Sequence, residues 1–170
     1  MAERGREVIK CVMDIIKEYM NLDDEHCYIY NQKWIMPADE SLYVCIGCSR
    51  IETVGNPLKY RRTEKDLIGI NRVFVSESYF IEMYSYNNEA RIRQLELIAC
   101  FNSDLAIRTQ EFQQFSIGYV PLEFSDVSRA EASKILNRYH TEIKVLYGRS
   151  YEQIAPNWNK LGGLKTIINN

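Results

Sequence analysis

Five side chains, Tyr139, Thr141, Ile143, Val145 and Tyr147, alternate with Arg138, His140, Glu142 and Lys144. A period of two sends successive side chains to opposite sides of an extended backbone, so this run predicts a strand with one buried and one wet face, ended by Gly148. A half-buried strand cannot stand alone. It requires neighbours to complete its hydrogen bonds and a second layer to cover its apolar face. The rest of the chain supplies candidates for both.

Residues 42–54 are rich in Val, Ile, Thr and Tyr and close at Gly55-Asn56-Pro57, which predicts a strand. Val44, Ile46 and Cys48 face one way and Tyr43, Cys45 and Ser49 the other, so the start of this strand is expected to be covered on both sides. Residues 67–86 form a second long β region with polar Ser76-Glu77-Ser78 at its middle, readable as one bent strand or two shorter ones. Shorter strands are expected at 27–33 and at 115–119, the latter carrying Phe115, Ile117 and Tyr119 and stopping at Pro121. Helical spacing appears first over 3–20, where Val8, Val12, Ile15 and Tyr19 form one stripe, with Ile9, Met13, Ile16 and Met20 beside it. A second helix is predicted over 88–101, with Ile92, Leu95, Leu97, Ile98 and Phe101 as its apolar side. Glu89 and Arg93 form an i,i+4 pair on its polar edge, and Ser85, Asn87 or Asn88 is placed to cap it. A helix follows at 104–113, and Ser128 with Glu131 reads as a capping box opening a short helix to Leu136.

Together these elements predict an α+β fold, a single domain with a mostly antiparallel or mixed sheet flanked by an N-terminal helix and a central helix. Residues 1–154 are expected to form that domain and 155–170 a C-terminal extension, broken by Pro156 and Gly162-Gly163. A chain of 170 residues buries roughly 70% of its unfolded surface, enough for one core.

Charge narrows the function classes. The net charge of −2 lacks the cationic excess of a nucleic-acid coat or a polybasic membrane anchor. No run approaches the roughly 20 apolar residues of a membrane-spanning helix, and Glu3, Arg4, Arg6 and Glu7 do not resemble a signal peptide. A cytosolic site of synthesis is expected, in keeping with five irregularly spaced cysteines, most of them read as small buried hydrophobes.

Catalytic signatures are missing from the sequence. Neither phosphate-binding glycine loop occurs, nor the nucleophile elbow, nor the H-E-x-x-H metal motif. His26 and His140 are the two histidines, and His140 is expected to be an exposed residue on the wet face of its strand. Cys45-Ile46-Gly47-Cys48 is half of a zinc set that His26 and Cys27 could complete, giving a small zinc or redox protein as the alternative reading. Residues three apart on a strand point to opposite faces, however, so the two sulfurs converge only if Gly47 permits a bulge. No catalytic residue, metal ligand or cofactor is therefore assigned.

The surface is more informative. Lys59, Arg61, Arg62 and Lys65 cluster with Tyr60 between two strands. Solvated loop charge, a nucleic-acid contact and a contact with a neighbouring protein all fit such a segment. The 12 tyrosines offer large contact areas with polar ends, as assembly subunits use at interfaces.

The run from Tyr79 through Ser85-Tyr86-Asn87-Asn88-Glu89-Ala90-Arg91 passes from strand to helix. It is followed by Gln110-Glu111, Phe115, Val120-Pro121, Ser128 with Glu131, and Leu136-Asn137-Arg138-Tyr139. In order and texture this region, about 42–161, resembles the neck and tail-terminator proteins of tailed bacteriophages, small α+β subunits of the head–tail junction. The resemblance implies a non-enzymatic virion protein, assembled in the bacterial host's cytoplasm and forming a homo-oligomeric, usually six-membered ring. Its partners would be the tail tube and the connector or portal-side neck proteins, with DNA as passing cargo in the bore and no membrane. A ring needs two different complementary patches on each subunit. Lys59, Arg61, Arg62 and Lys65 of the basic segment and Trp158, Leu164, Ile167 and Ile168 of the tail are expected to supply them.

Overall fold

The structure is a computed structural model; it describes residues 7–30, 39–63, 66–118, 123–131 and 134–155. Four helices and eight strands alternate along these residues. Helix α1 (Val8–Tyr19) precedes a 3-10 turn and strands β1 (Cys27–Ile29), β2 (Tyr43–Gly55), β3 (Leu58–Arg62) and β4 (Leu67–Ser85). Helices α2 (Glu89–Ile92), α3 (Gln94–Phe101) and α4 (Asp104–Gln113) follow, then β5 (Phe115–Ile117), β6 (Ser125–Asp126), β7 (Arg129–Glu131) and β8 (Lys134–Ile154). The strands form a mixed sheet in the order β1-β2-β4-β8-β5, with β3 paired to β4 and with β6 and β7 paired to β8. β1 runs parallel to β2, whereas β3, β5, β6 and β7 pair antiparallel with their neighbours. The expected α+β class and mostly antiparallel sheet are thus present.

By their contacts the residues divide into two units, Met1–Glu52 with Ser76–Tyr147, and Thr53–Val75 with Gly148–Asn170. β2, β4 and β8 contribute residues to both.

In the first unit α1 buries Val12, Ile15 and Ile16 against Val44 and Ile46 of β2 and Tyr79, Ile81 and Met83 of β4. The period-2 prediction for β8 holds through this unit, with Tyr139, Thr141, Ile143 and Val145 buried and Glu142 and Lys144 exposed. β2 starts buried on both sides through Gly47 and then emerges into solvent, as its two apolar faces predict. α4 matches its predicted bounds, opened by Ser103, whose hydroxyl accepts from the amide of Ala106 at 3.2 Å.

Three local predictions are corrected. The central helix breaks at Arg93 into α2 and α3. The Arg93 guanidinium turns inward, donating to the carbonyl of Met20 at the end of α1 and to Glu96 (3.1 Å) and Glu89 (3.4 Å). A cation there also complements the negative end of the α1 dipole. The rotation sends Ile92 and Leu95 outward, 73% and 75% exposed, while Leu97, Cys100 and Phe101 stay in the core. Ser85 and Asn87 accept from the amides of Ala90 and Glu89, whereas the side chain of Asn88 makes no capping bond.

The second correction concerns Ser128 and Glu131, which lie in a β-hairpin instead of a capped helix, with β7 paired to β8 through Arg129↔Leu136. The Ser128 hydroxyl accepts from the amide of Arg138 and donates to Asp126, so it serves cross-strand pairing. Third, β8 passes through Gly148 and continues to Ile154. A Cβ at Gly148 would lie 3.1 Å from the Phe74 ring, so the glycine makes room for an aromatic side chain lying on the sheet.

Of the short strands, β1 ends at Ile29 and the 31–33 part of its prediction lies outside the described residues. Residues 3–6 of the first helix, Tyr119 and Pro121 lie outside them too.

Candidate functional site

The second unit is a three-stranded β arm. β3 pairs with β4 from Leu58↔Asn71 to Arg62↔Leu67. β8 flanks β4 on the other side, where the Ala155 amide donates to the Leu67 carbonyl at 2.9 Å. Lys59, Arg61 and Arg62, expected in a loop, therefore lie on a strand, and all five residues of β3 are exposed. Arg61 reaches across β4 to Glu152 of β8 at 3.1 Å. That pair is solvated on both sides and adds at most about 1 kcal/mol, but it sets a carboxylate beside one of the cations that a polyanion would meet on β3. Lys65, Trp158, Leu164, Ile167 and Ile168 lie outside the described residues.

Apolar side chains on the arm go uncovered. By strand alternation Leu58 and Tyr60 share a face with Gly69, and a Cβ on Gly69 would lie 3.6 Å from the Tyr60 ring. Tyr60 is 60% exposed, with Leu58, Val54, Tyr151 and Ile154 between half and two-thirds exposed. Gly148 and the Phe74 ring, with the Arg72 guanidinium 4.9 Å over it, occupy the opposite face. The exposed apolars were missed in the sequence because a β-branched or aromatic residue there reads as strand-forming, whether or not a second layer covers it.

On the first unit, the sheet face opposite α1 carries a polar cluster that sequence reasoning also missed. Glu82 is only 7% exposed. Its carboxylate accepts from Arg138 at 2.6 Å and from the Tyr84 hydroxyl, with His140 Nδ1 at 3.4 Å. Burial works to raise the Glu82 pKa. The hydrogen bonds from Tyr84 and Arg138, with the arginine's charge, outweigh it and hold the carboxyl below its usual range. The Arg138 guanidinium lies 5.3 Å over the Tyr84 ring, and Tyr28 stacks on Tyr84 at 6.4 Å. His140, expected to be exposed, is half-buried and stacked on Phe80 at 6.0 Å. A carboxylate held ionised by an arginine is a weak base, and the arrangement reads as a cross-strand tie. The available signal was a lone carboxylate inside the otherwise apolar run from Tyr79 to Tyr84.

The four residues of the zinc or redox alternative are spread over the sheet. Cys27 packs with the α1-side core, while Cys45 faces the opposite side with Tyr43 and Tyr84. His26 rests against the Tyr43 ring at 5.0 Å, and Cys48 is exposed. Gly47 forms no meeting point for the two thiols. Its missing Cβ makes space for the Phe80 ring and for Tyr30, whose Cβ would be 2.8 Å away. Burial pushes the thiols of Cys27 and Cys45 up to about 12, where neither forms a thiolate near neutrality. Among the described residues no group of three or more His, Cys, Asp or Glu side chains is arranged to hold a metal ion. No helix among them is long and apolar enough to cross a membrane.

A shallow polar groove of about 200 Å³ lies at the end of α1, lined by Asn21, His26, Ser41, Glu89 and Arg93 among others. Its arginine is already engaged by Glu89, Glu96 and Met20.

No protein-family model matches the chain, and no curated protein matches its sequence.

Proposed function

We propose that this protein is a ring-forming structural subunit of a tailed-bacteriophage virion, a neck or tail-terminator protein at the head–tail junction. In that role six copies join the tail tube to the connector side and leave a bore through which DNA passes. The observation that carries the reading is the β arm: three strands with uncovered Leu58, Tyr60 and Tyr151 and a fully exposed β3. A small sheet with one unburied apolar face is marginal by itself and gains stability from a partner surface. The buried cysteines and the ionised, arginine-tied Glu82 support a structural role, because each is tied up in packing or pairing. The near-neutral net charge of −2 suits a conduit that lets a polyanion slide without holding it.

Electron microscopy of the concentrated protein, with its mass measured by light scattering, tests this reading. Annular particles of six copies, and weak, non-specific affinity for duplex DNA, are the expected results. A monomer at every concentration that also fails to bind isolated tail tubes would refute it.

A further inference from the structure

The backbone of the arm specifies how neighbouring copies would join. Thr63 donates to the Asp66 carbonyl at 2.8 Å and Arg72 to the Pro57 carbonyl at 3.0 Å. Because antiparallel pairing alternates, residues 57, 59, 61 and 63 bond inward to β4, and Leu58 and Tyr60 aim their amides and carbonyls away from it. On β8 the Ala155 amide bonds inward to Leu67, so the same alternation turns Ser150, Glu152 and Ile154 outward. Among the described residues no strand pairs with either edge.

An open edge is a template for another strand, and proteins guard such edges with charge. β3 carries Lys59, Arg61 and Arg62 and no acid. Two copies of β3 side by side would set cation against cation, which is destabilising. The β8 edge instead carries Glu152, which already attracts Arg61 of its own chain. The same charges that block β3 from itself favour the β8 edge.

Resting on the ring-subunit reading, we propose that β3 of one copy adds to the Ser150–Ile154 edge of β8 in the next, joining the arms head to tail in a parallel strand pair. Direction follows from topology. β3 is antiparallel to β4, and β8 is as well, since residue 155 lies beside 67 and the Gln153 carbonyl beside Gly69. β3 and β8 therefore run the same way, and a rotation that carries one copy onto the next keeps them parallel. Side-chain alternation agrees: the outward-bonding residues of β3 and β8 belong to opposite faces, as parallel pairing requires. Glu152 would then lie between Arg61 of its own chain and the basic β3 of its neighbour. Two unlike edges on one subunit make a heterologous contact, which closes into a ring when the rotation permits.

Proline substitution at outward amides tests this on the full chain, since an edge proline leaves the inward ladder intact. Tyr60→Pro and Ser150→Pro should each abolish ring formation, measured by light scattering, while circular dichroism stays near that of the parent and the unfolding temperature stays near that of the parent diluted to monomer. Tyr60→Ala, which keeps the amide, should still assemble. Mixed in equal amounts, the two proline variants should form a two-chain species and nothing larger, because one intact β3 meets one intact β8 edge. If the parent forms rings and either proline variant does too, the edge pairing is wrong and the ring reading stands. If the parent stays monomeric at every concentration, the edge pairing is wrong, and if it also fails to bind isolated tail tubes the ring reading falls with it.

Discussion

Neutralising Glu82 as Glu82→Gln removes one charge from a buried pair while keeping the side chain's shape. In the parent, Arg138 donates at 2.6 Å, the Tyr84 hydroxyl also donates, and Glu82 is 7% exposed. Hydrogen bonds to a charged acceptor contribute about 1.5–3 kcal/mol, against 0.5–1.5 for neutral ones. Arg138 and the Tyr84 hydroxyl donate to different carboxylate oxygens in the parent. In the variant the single amide oxygen accepts from Arg138 and the NH2 group donates to the Tyr84 hydroxyl, so both bonds persist with a neutral partner and the difference per bond is about 1 kcal/mol. Two bonds give about 2 kcal/mol, reduced to about 1–2 because the Arg138 side chain is 27% exposed and screened by water. Equilibrium urea unfolding at pH 7 should therefore show Glu82→Gln about 1–2 kcal/mol less stable than the parent. The pH dependence gives the sign. Glu82 has a folded pKa below its ordinary 4.5, so its contribution is fully present above that value and drains away as pH falls through the folded pKa. The gap between parent and variant should accordingly close as the medium is acidified below 4.5. A variant as stable as the parent at pH 7, or a gap that stays constant into acid, would refute the cross-strand tie.

Two further outcomes follow from packing and burial. Gly47→Val should lower stability by about 1–3 kcal/mol by overpacking, because its branched side chain would collide with the Phe80 ring and Tyr30; Phe80→Ala in the same chain should recover part of that loss, and additive losses in thermal unfolding would argue against the collision. In native protein at neutral pH, a thiol-specific reagent should label Cys48 promptly and Cys11, Cys45 and Cys100 only on unfolding, since Cys48 is exposed and the other three are buried; quick native labelling of Cys45 would contradict its burial against Tyr43 and Tyr84.

Local periodicity made much of this fold legible from the sequence. The alternation around Ile143, the two apolar faces of β2, the α1 stripe and the bounds of α4 are properties of neighbouring residues, and a strand or helix displays them before any partner is known. The basic residues of β3 were equally visible as charge, and Cys45 and Cys48 were readable as facing apart. Long-range partners decided the rest. Arg93 broke a well-patterned helix because the carbonyl of Met20, remote in sequence, lay within its reach. Ser128 left a capping motif for the amide of Arg138, and Gly148 stayed within a strand because Phe74 covered it. Nothing near Glu82 in the chain identifies Arg138 as its counter-ion, 56 residues away, nor does any local pattern mark β3 as an edge. Those features depend on which strands become neighbours, and a one-dimensional pattern encodes the period of an element without encoding what packs beside it.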